Sequence, residues 1–140
     1  MAKINSSGDL DWFTFNGPTT ATTGCYVVET PDNDYLLLGS ISASINTLGG
    51  VQPQYNFAGG TSDFLLVKLK ANGSVKWYDM IGSASGVDTG RSIANTSDGG
   101  FIFIGEINSA ITGTSTISPI IPYSGSTDFI FFKLKGDGKY

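Results

Sequence analysis

The hydrophobic residues of this chain form short runs that do not alternate with polar residues. Four runs read Y-L-L-L, F-L-L-V, F-I-F-I and F-I-F-F, and they predict strands at residues 35–38, 64–69, 101–104 and 129–134. A strand with one wet face alternates apolar and polar residues, whereas a continuous run is typical of a strand covered on both faces. Because the sequence offers no helix as a cover, we expect other sheets to cover these strands.

Shorter and more polar segments flank each run. Residues 10–15 and 75–80 mix apolar and polar residues around a tryptophan, as is typical of a strand near a sheet edge. Residues 25–29 and 91–95 are followed by the turn sequences P-D-N-D and S-D-G-G, which predict hairpins into the next runs. The triplets A-N-G and G-D-G predict further tight turns.

These elements occur twice, at a spacing of about 65 residues. The spacing aligns Trp12 with Trp77. It also aligns the segment G-x-x-D-F-x-x-x-K-L-K that begins at Gly60 with the one that begins at Gly125. We therefore divide the single domain, residues 1–140, into a first repeat at about 3–67, a second at about 68–132 and the start of a third at 133–140.

The composition points to the all-β class, because the many Gly, Thr and β-branched residues disfavour helices. Four-stranded antiparallel sheets that stack face to face, one per repeat, are the blades of a β-propeller. We predict this architecture. The alternative is a β-sandwich or a stacked β-solenoid built from the same hairpins.

The repeat resembles the bacterial SBBP-type β-propeller repeat. The resemblance rests on G-x-x-D-F-x-x-x-K-L-x-x-x-G-x-x-x-W, followed by D-x-G and D-G-x-F-I-x-x-G-E-I-N-S-A, and it covers essentially the whole chain. It implies that the strands at residues 25–29 and 91–95 are innermost in their blades and that the tryptophan strands are outermost. It also implies an extracellular or cell-surface bacterial protein, although the start M-A-K-I-N-S-S-G lacks the apolar core of a secretion signal.

This order of strands gives the chain complementary ends. It begins with an outer strand and finishes with a blade that lacks one. Because bare apolar sheet faces favour aggregation, we expect the chain to belong to a longer propeller or to assemble head to tail into a homo-oligomer of three or four chains. In the homo-oligomer, residues 10–15 of one chain would complete the blade of residues 129–134 in its neighbour.

Charge and composition argue against several kinds of site. The net charge of -4 with only eight Lys and Arg disfavours nucleic-acid binding. No apolar run approaches the roughly 20 residues of a membrane-spanning helix. The absence of His removes His-based triads and the common zinc sites, and the single Cys25 cannot form an internal disulfide. We expect neither a cofactor nor a metal site.

Three aromatic residues are candidate ligand-binding residues. Tyr55, Phe57 and Tyr123 lie in the predicted loops at residues 40–59 and 106–124, which differ between the repeats while the strands match. Loops on a rigid scaffold commonly carry binding groups, and exposed aromatic rings stack on sugars or peptides. The alternative is that these rings fill the space between blades.

Charged residues provide the other candidates. Asp88 and Arg91 flank the predicted innermost strand of the second repeat, so Arg91 is a candidate for binding an anion, and an Asp88–Arg91 ion pair is the alternative. The acidic turn at residues 32–34 suggests calcium but lacks the spaced ligand pattern, so we interpret it as a turn. Asp63 and Asp128 are expected to cap backbone N–H groups of the loops before them.

We favour a non-enzymatic scaffold or binding module for protein or glycan recognition or for surface assembly. One alternative is an oligomeric, lectin-like sugar binder. A propeller-type hydrolase or lyase is a second alternative, disfavoured because the chain has no His and no recognisable catalytic constellation.

Overall fold

The computed structural model describes residues 1–14, 22–111 and 122–140 of the chain. These residues are all-β and contain no helix, so no described segment forms a helix able to cross a bilayer. The described residues form, in chain order, β1 (Ala2–Ile4), β2 (Leu10–Phe13), β3 (Thr22–Glu29), β4 (Tyr35–Ile41), β5 (Asp63–Leu69), β6 (Val75–Ile81), β7 (Asp88–Asn95), β8 (Phe101–Ile107) and β9 (Asp128–Leu134).

The strands pair into three antiparallel sheets. We call them the hairpin sheet (β1–β2), the central sheet (β3–β4–β5–β6) and the terminal sheet (β7–β8–β9). Each strand pairs only with its neighbours in sequence, so every sheet is a meander without crossovers. The predicted all-β class is confirmed, and each predicted strand segment contains a strand; residue 15 lies outside the described residues. The short β1 was not predicted.

Both predicted loops begin inside strands, which is a correction to the expected boundaries. β4 continues to Ile41 and β8 to Ile107, and residues 112–121 of the second loop lie outside the described residues. Gly39 and Gly105 each lie within a strand, opposite a β-bulge. A Cβ on either glycine would come within 2.7 Å of a carbonyl oxygen of the bulged strand, so glycine permits a close approach there.

The first hydrophobic core lies between the central and terminal sheets. Phe64 of the central sheet meets Phe103 of the terminal sheet edge to face, with ring centroids 5.2 Å apart. The buried members are Leu36, Leu38, Phe64, Leu66, Trp77 and Ile81 from the central sheet and Phe101, Phe103, Ile107 and Leu134 from the terminal sheet.

The second core lies on the opposite face of the central sheet. Every residue of β5 is buried, as its continuous apolar run predicted. However, the cover on this face is not a full sheet: Ile45 and Leu48 from the segment after β4 pack here together with Trp12 of the hairpin sheet. Sheets thus contribute to the cover of both faces, the terminal sheet on one and the hairpin sheet, together with the segment after β4, on the other.

The terminal sheet departs further from the expectation that both faces of each apolar strand are covered. In β9 the exposed positions alternate with partly buried ones, and Phe129 and Phe131 are 74% and 70% exposed. No described residue packs over these two rings as the terminal sheet packs over the central one. Among the residues that the structure describes, the apolar runs of the terminal sheet are thus covered on one face only.

Candidate interaction surface

The contact between the hairpin and central sheets resembles the contact between the central and terminal sheets. Trp12 packs against Tyr35 with ring centroids 5.8 Å apart, and Trp77 packs against Phe101 at 6.4 Å. In both cases the indole ring also lies beside a turn glycine, Gly73 for Trp12 and Gly138 for Trp77, where a Cβ would come within 2.8 and 3.1 Å of the ring. One inter-sheet contact therefore occurs twice in the chain.

The two indole groups differ in their hydrogen bonding. The Nε1 of Trp12 donates to the carbonyl oxygen of Ala71 over 2.9 Å. The Nε1 of Trp77 is buried and has no hydrogen-bond partner. Because burying an unpaired donor is unfavourable, the second contact relies more on apolar packing than the first.

An ion pair lies at the contact between the central and terminal sheets. The ammonium group of the buried Lys68 donates to both carboxylate oxygens of Asp32, over 2.8 and 3.0 Å, and lies 5.2 Å from the centroid of the Phe101 ring. Although partial burial opposes ionisation, the hydrogen bonds from Lys68, Thr30 and Lys76 lower the pKa of Asp32. The acidic turn at residues 32–34 is thus bound by lysines.

The corresponding pair of the terminal sheet, Lys133 and Asp98, is exposed. Their side chains are 54% and 59% exposed, against 4% for Lys68. The hydrogen bond from Lys133 lowers the pKa of Asp98. No described aromatic ring covers Lys133 as Phe101 covers Lys68, so this pair has the residues of a sheet contact without the opposing sheet.

We expect replacement of these two lysines by glutamine to have unequal effects. Lys68→Gln should lower the free energy of unfolding by about 1.5–3 kcal/mol, because it removes charged hydrogen bonds at a buried contact. Lys133→Gln should change it by less than about 1 kcal/mol, as is usual for exposed ion pairs. Urea unfolding of the two variants measures both values, and equal losses would contradict the difference in burial.

The exposed side of the terminal sheet carries four apolar residues that we call the open face. They are Ile102, Ile104, Phe129 and Phe131. Their counterparts in the first repeat, Leu36, Leu38, Phe64 and Leu66, are each fully buried beneath the terminal sheet. The open face therefore matches, in residue type and in place, a surface that another sheet covers elsewhere in the same chain.

The free edge of β9 adjoins the open face. In the central sheet, β5 pairs with β4 on one edge and with β6 on the other. β9 pairs with β8 on one edge, and no described strand pairs with the other. An unpaired edge presents backbone N–H and C=O groups that an incoming strand can bind. Face and edge together form the candidate interaction surface.

Asp88 and Arg91 have different partners, so the ion pair between them, which was the alternative to anion binding, is wrong. Arg91 is the extra residue of the β7 bulge and pairs with Glu106 through two hydrogen bonds of 3.1 and 2.8 Å. Asp88 is fully buried and accepts hydrogen bonds from the backbone N–H and the hydroxyl of Ser83. The bulge changes the side-chain alternation along the strand, which spacing in the sequence does not reveal.

The three candidate aromatic residues are engaged in packing. Tyr55 stacks on Tyr140 with ring centroids 4.6 Å apart. Phe57 packs against the second core and Tyr123 against the first. The structure therefore does not bring the three rings together with Asp88 and Arg91 into one binding site.

The carboxyl groups of Asp63 and Asp79 are both buried, which the sequence did not predict. Asp63 caps the N–H of Ala58, and Asp128 caps that of Ser124 over 2.8 Å, so the predicted capping role is confirmed. Asp63 also has a second, buried oxygen with no hydrogen-bond partner, and both carboxylate oxygens of Asp79 are buried without one. Burial, together with the charge of Asp88, raises the pKa of Asp63 to about 6.

Burial likewise raises the pKa of Asp79 to about 7, with a smaller contribution from the charge of Asp137. Both carboxyl groups are fully inaccessible to solvent, so neither meets a substrate. Asp79 falls between the apolar residues of a strand, and only the covering of β6 by neighbouring segments buries it. No three acidic or Cys side chains of the described residues lie together in a way that could hold a metal ion.

Comparison with known proteins adds no family assignment. No protein-family model matches the sequence, and no curated protein matches it significantly. The resemblance to the SBBP-type repeat therefore stays a prediction, and the functional conclusion depends on the geometry of the chain.

Proposed function

We propose that this protein is a non-enzymatic scaffold of the β-propeller type, in which the sheets act as blades and a further copy of the chain docks on the open face. The observation that carries the proposal is the inter-sheet contact. The chain makes it twice with the same residue types, and the open face offers the residues for a third. Surfaces that recur in this way are what head-to-tail assembly requires.

The second copy has residues of matching type. The terminal sheet covers the central sheet with Phe101, Phe103 and Leu134. At the corresponding positions of the first repeat stand Tyr35, Leu37 and Leu69, which are apolar or aromatic as well. Leu37 and Leu69 are already buried in the second core of their own chain, whereas Tyr35 is only partly buried. A docking copy would therefore meet the open face with Tyr35 and with the hairpin sheet that packs beside it. Closing such contacts around an axis gives the proposed ring of three or four chains.

The buried state of the acidic residues supports a non-enzymatic role. Asp63, Asp79 and Asp88 are inaccessible to solvent, and Arg91 is occupied by Glu106. A general acid or base must reach a substrate, which these groups do not. We assign protein or glycan binding, at the surface of a bacterial cell or outside it, to the loops that join the strands, because loops on rigid sheets are the usual place for binding groups. The aromatic residues that would favour a sugar binder are engaged in packing.

The mass in solution tests the proposal. We expect light scattering at micromolar concentrations to give three or four times the 14.7 kDa of one chain. Replacing Phe131 by Ser should restore the mass of a single chain, because Phe131 is the exposed counterpart of the buried Leu66.

The matched control is Val27→Ser, which also removes an exposed apolar side chain, but from β3 and away from the open face. It should leave the assembled mass unchanged. Wild-type protein that stays well folded as a single chain at every concentration would refute the proposal.

A further inference from the structure

The hairpin sheet reproduces the pairing of β5 with β6. Lys3 lies opposite Trp12 as Lys68 lies opposite Trp77, and Ala2 lies opposite Phe13 as Val67 lies opposite Tyr78. Even the irregularity is shared, since both registers shift directly after the lysine. β1 therefore has the same position on β2 that β5 has on β6.

β9 has the sequence and the free edge to take that position itself. Its residues Phe132, Lys133 and Leu134 correspond to Ala2, Lys3 and Ile4 of β1. β9 is seven residues long and β1 only three. A longer strand contributes more ladder hydrogen bonds and more cross-strand side-chain pairs, so β9 is the stronger partner for β2.

The exposure of the hairpin sheet indicates that β1 covers β2 poorly. Ile4, Leu10 and Phe13 are between 56% and 62% exposed, whereas their counterparts in the central sheet, Leu69, Val75 and Tyr78, are buried. Two-stranded hairpins are marginally stable in water, and Trp12 is the residue through which this one packs on the second core. The hairpin sheet is thus the part of the described chain that most readily opens.

We propose that β1 occupies on β2 the place that β9 of a second copy takes on assembly, so that β1 is a built-in competitor of chain association. The inference rests on the proposed function and specifies how the two copies meet. β9 would pair with the partner's β2 with Lys133 opposite the partner's Trp12 and Phe132 opposite the partner's Phe13. Lys3 would leave its 3.0 Å ion pair with Asp11 as β1 is displaced.

A reversible lock on β1 tests this mechanism. Met1 and Thr14 exchange two backbone hydrogen bonds, so the next pair, Ala2 and Phe13, is a non-hydrogen-bonded pair, whose short separation suits a disulfide. The variant Ala2→Cys/Phe13→Cys is made with Cys25→Ser, which removes the only other thiol. A second variant deletes residues 1–4.

We expect the oxidised lock to remain a single chain by light scattering and the reduced form to associate as Phe13→Cys/Cys25→Ser does. That variant is the control, because it shows the effect of losing the Phe13 ring without the lock. The deletion variant should associate at concentrations about tenfold lower than the wild type, because it has no β1 to occupy β2. If the oxidised and reduced forms associate equally, strand replacement is wrong while assembly itself stands. If wild type, deletion and reduced lock are all single chains at every concentration, the proposed assembly is wrong and this mechanism with it.

Discussion

The folded protein is expected to gain stability when the pH falls from 8 to 5. Asp63 and Asp79 have pKa values of about 6 and about 7 in the folded state, against 3.8 for an unperturbed side chain, chiefly because of burial. The folded chain therefore binds protons in this range that the unfolded chain does not, and stability rises as the pH falls through the folded values. Urea unfolding should give a free energy about 2–4 kcal/mol larger at pH 5 than at pH 8.

Replacing Asp by the isosteric Asn shows which carboxyl groups cause the pH dependence. Asp79→Asn should remove the largest share of the pH dependence and Asp63→Asn a smaller one. The double variant should keep only the dependence due to Asp88, whose pKa burial also raises. Asp128→Asn is the control, since Asp128 has the place of Asp63 in the terminal sheet but is only partly buried. The unfolding measurements stop at pH 5, because at lower pH the ion-paired Asp32 and Asp98 begin to lose the negative charge that stabilises the fold. A wild type that loses stability between pH 8 and 5 would contradict the assignment.

The existence and pairing order of the long strands could be predicted because local signals agree with the fold there. The continuous apolar runs predicted β4, β5, β8 and β9, and glycine and Asx turns predicted the hairpins that join three of them to β3, β6 and β7. β1 could not be predicted, since three residues with a lysine at the centre carry no periodicity. It becomes visible only through its register, which repeats that of β5 on β6.

The candidate site was less predictable, because tertiary position decides the role of each side chain. Lys68 and Lys133 stand in the same motif, yet one is buried against Phe101 and the other is exposed. Arg91 and Asp88 are close in sequence, yet the bulge directs them to different partners. The repeat itself is informative in another way. It shows that the open face of the terminal sheet is equivalent to a face of the central sheet. Because that face of the central sheet is buried, the comparison indicates that the open face lacks a covering sheet.

Phe64→Ala and Phe129→Ala should have very different effects on the stability of the single chain, although the two residues occupy equivalent positions. Phe64 is fully buried and meets Phe103 edge to face, so its truncation leaves a cavity between the central and terminal sheets. We expect a loss of about 3–5 kcal/mol in the free energy of unfolding. Phe129 is 74% exposed, so its truncation should change that free energy by no more than about 0.5 kcal/mol.

The order of the two effects should reverse for association. Phe129→Ala removes a ring from the open face and should raise the concentration needed for assembly. Phe64→Ala, studied under conditions where it is still folded, leaves that face intact. Urea unfolding at low concentration and light scattering over a dilution series separate the two quantities. A Phe129→Ala variant that loses as much stability as Phe64→Ala in the single chain would mean that its own chain already covers the open face. A variant that assembles as the wild type does would mean that the open face is not where copies meet.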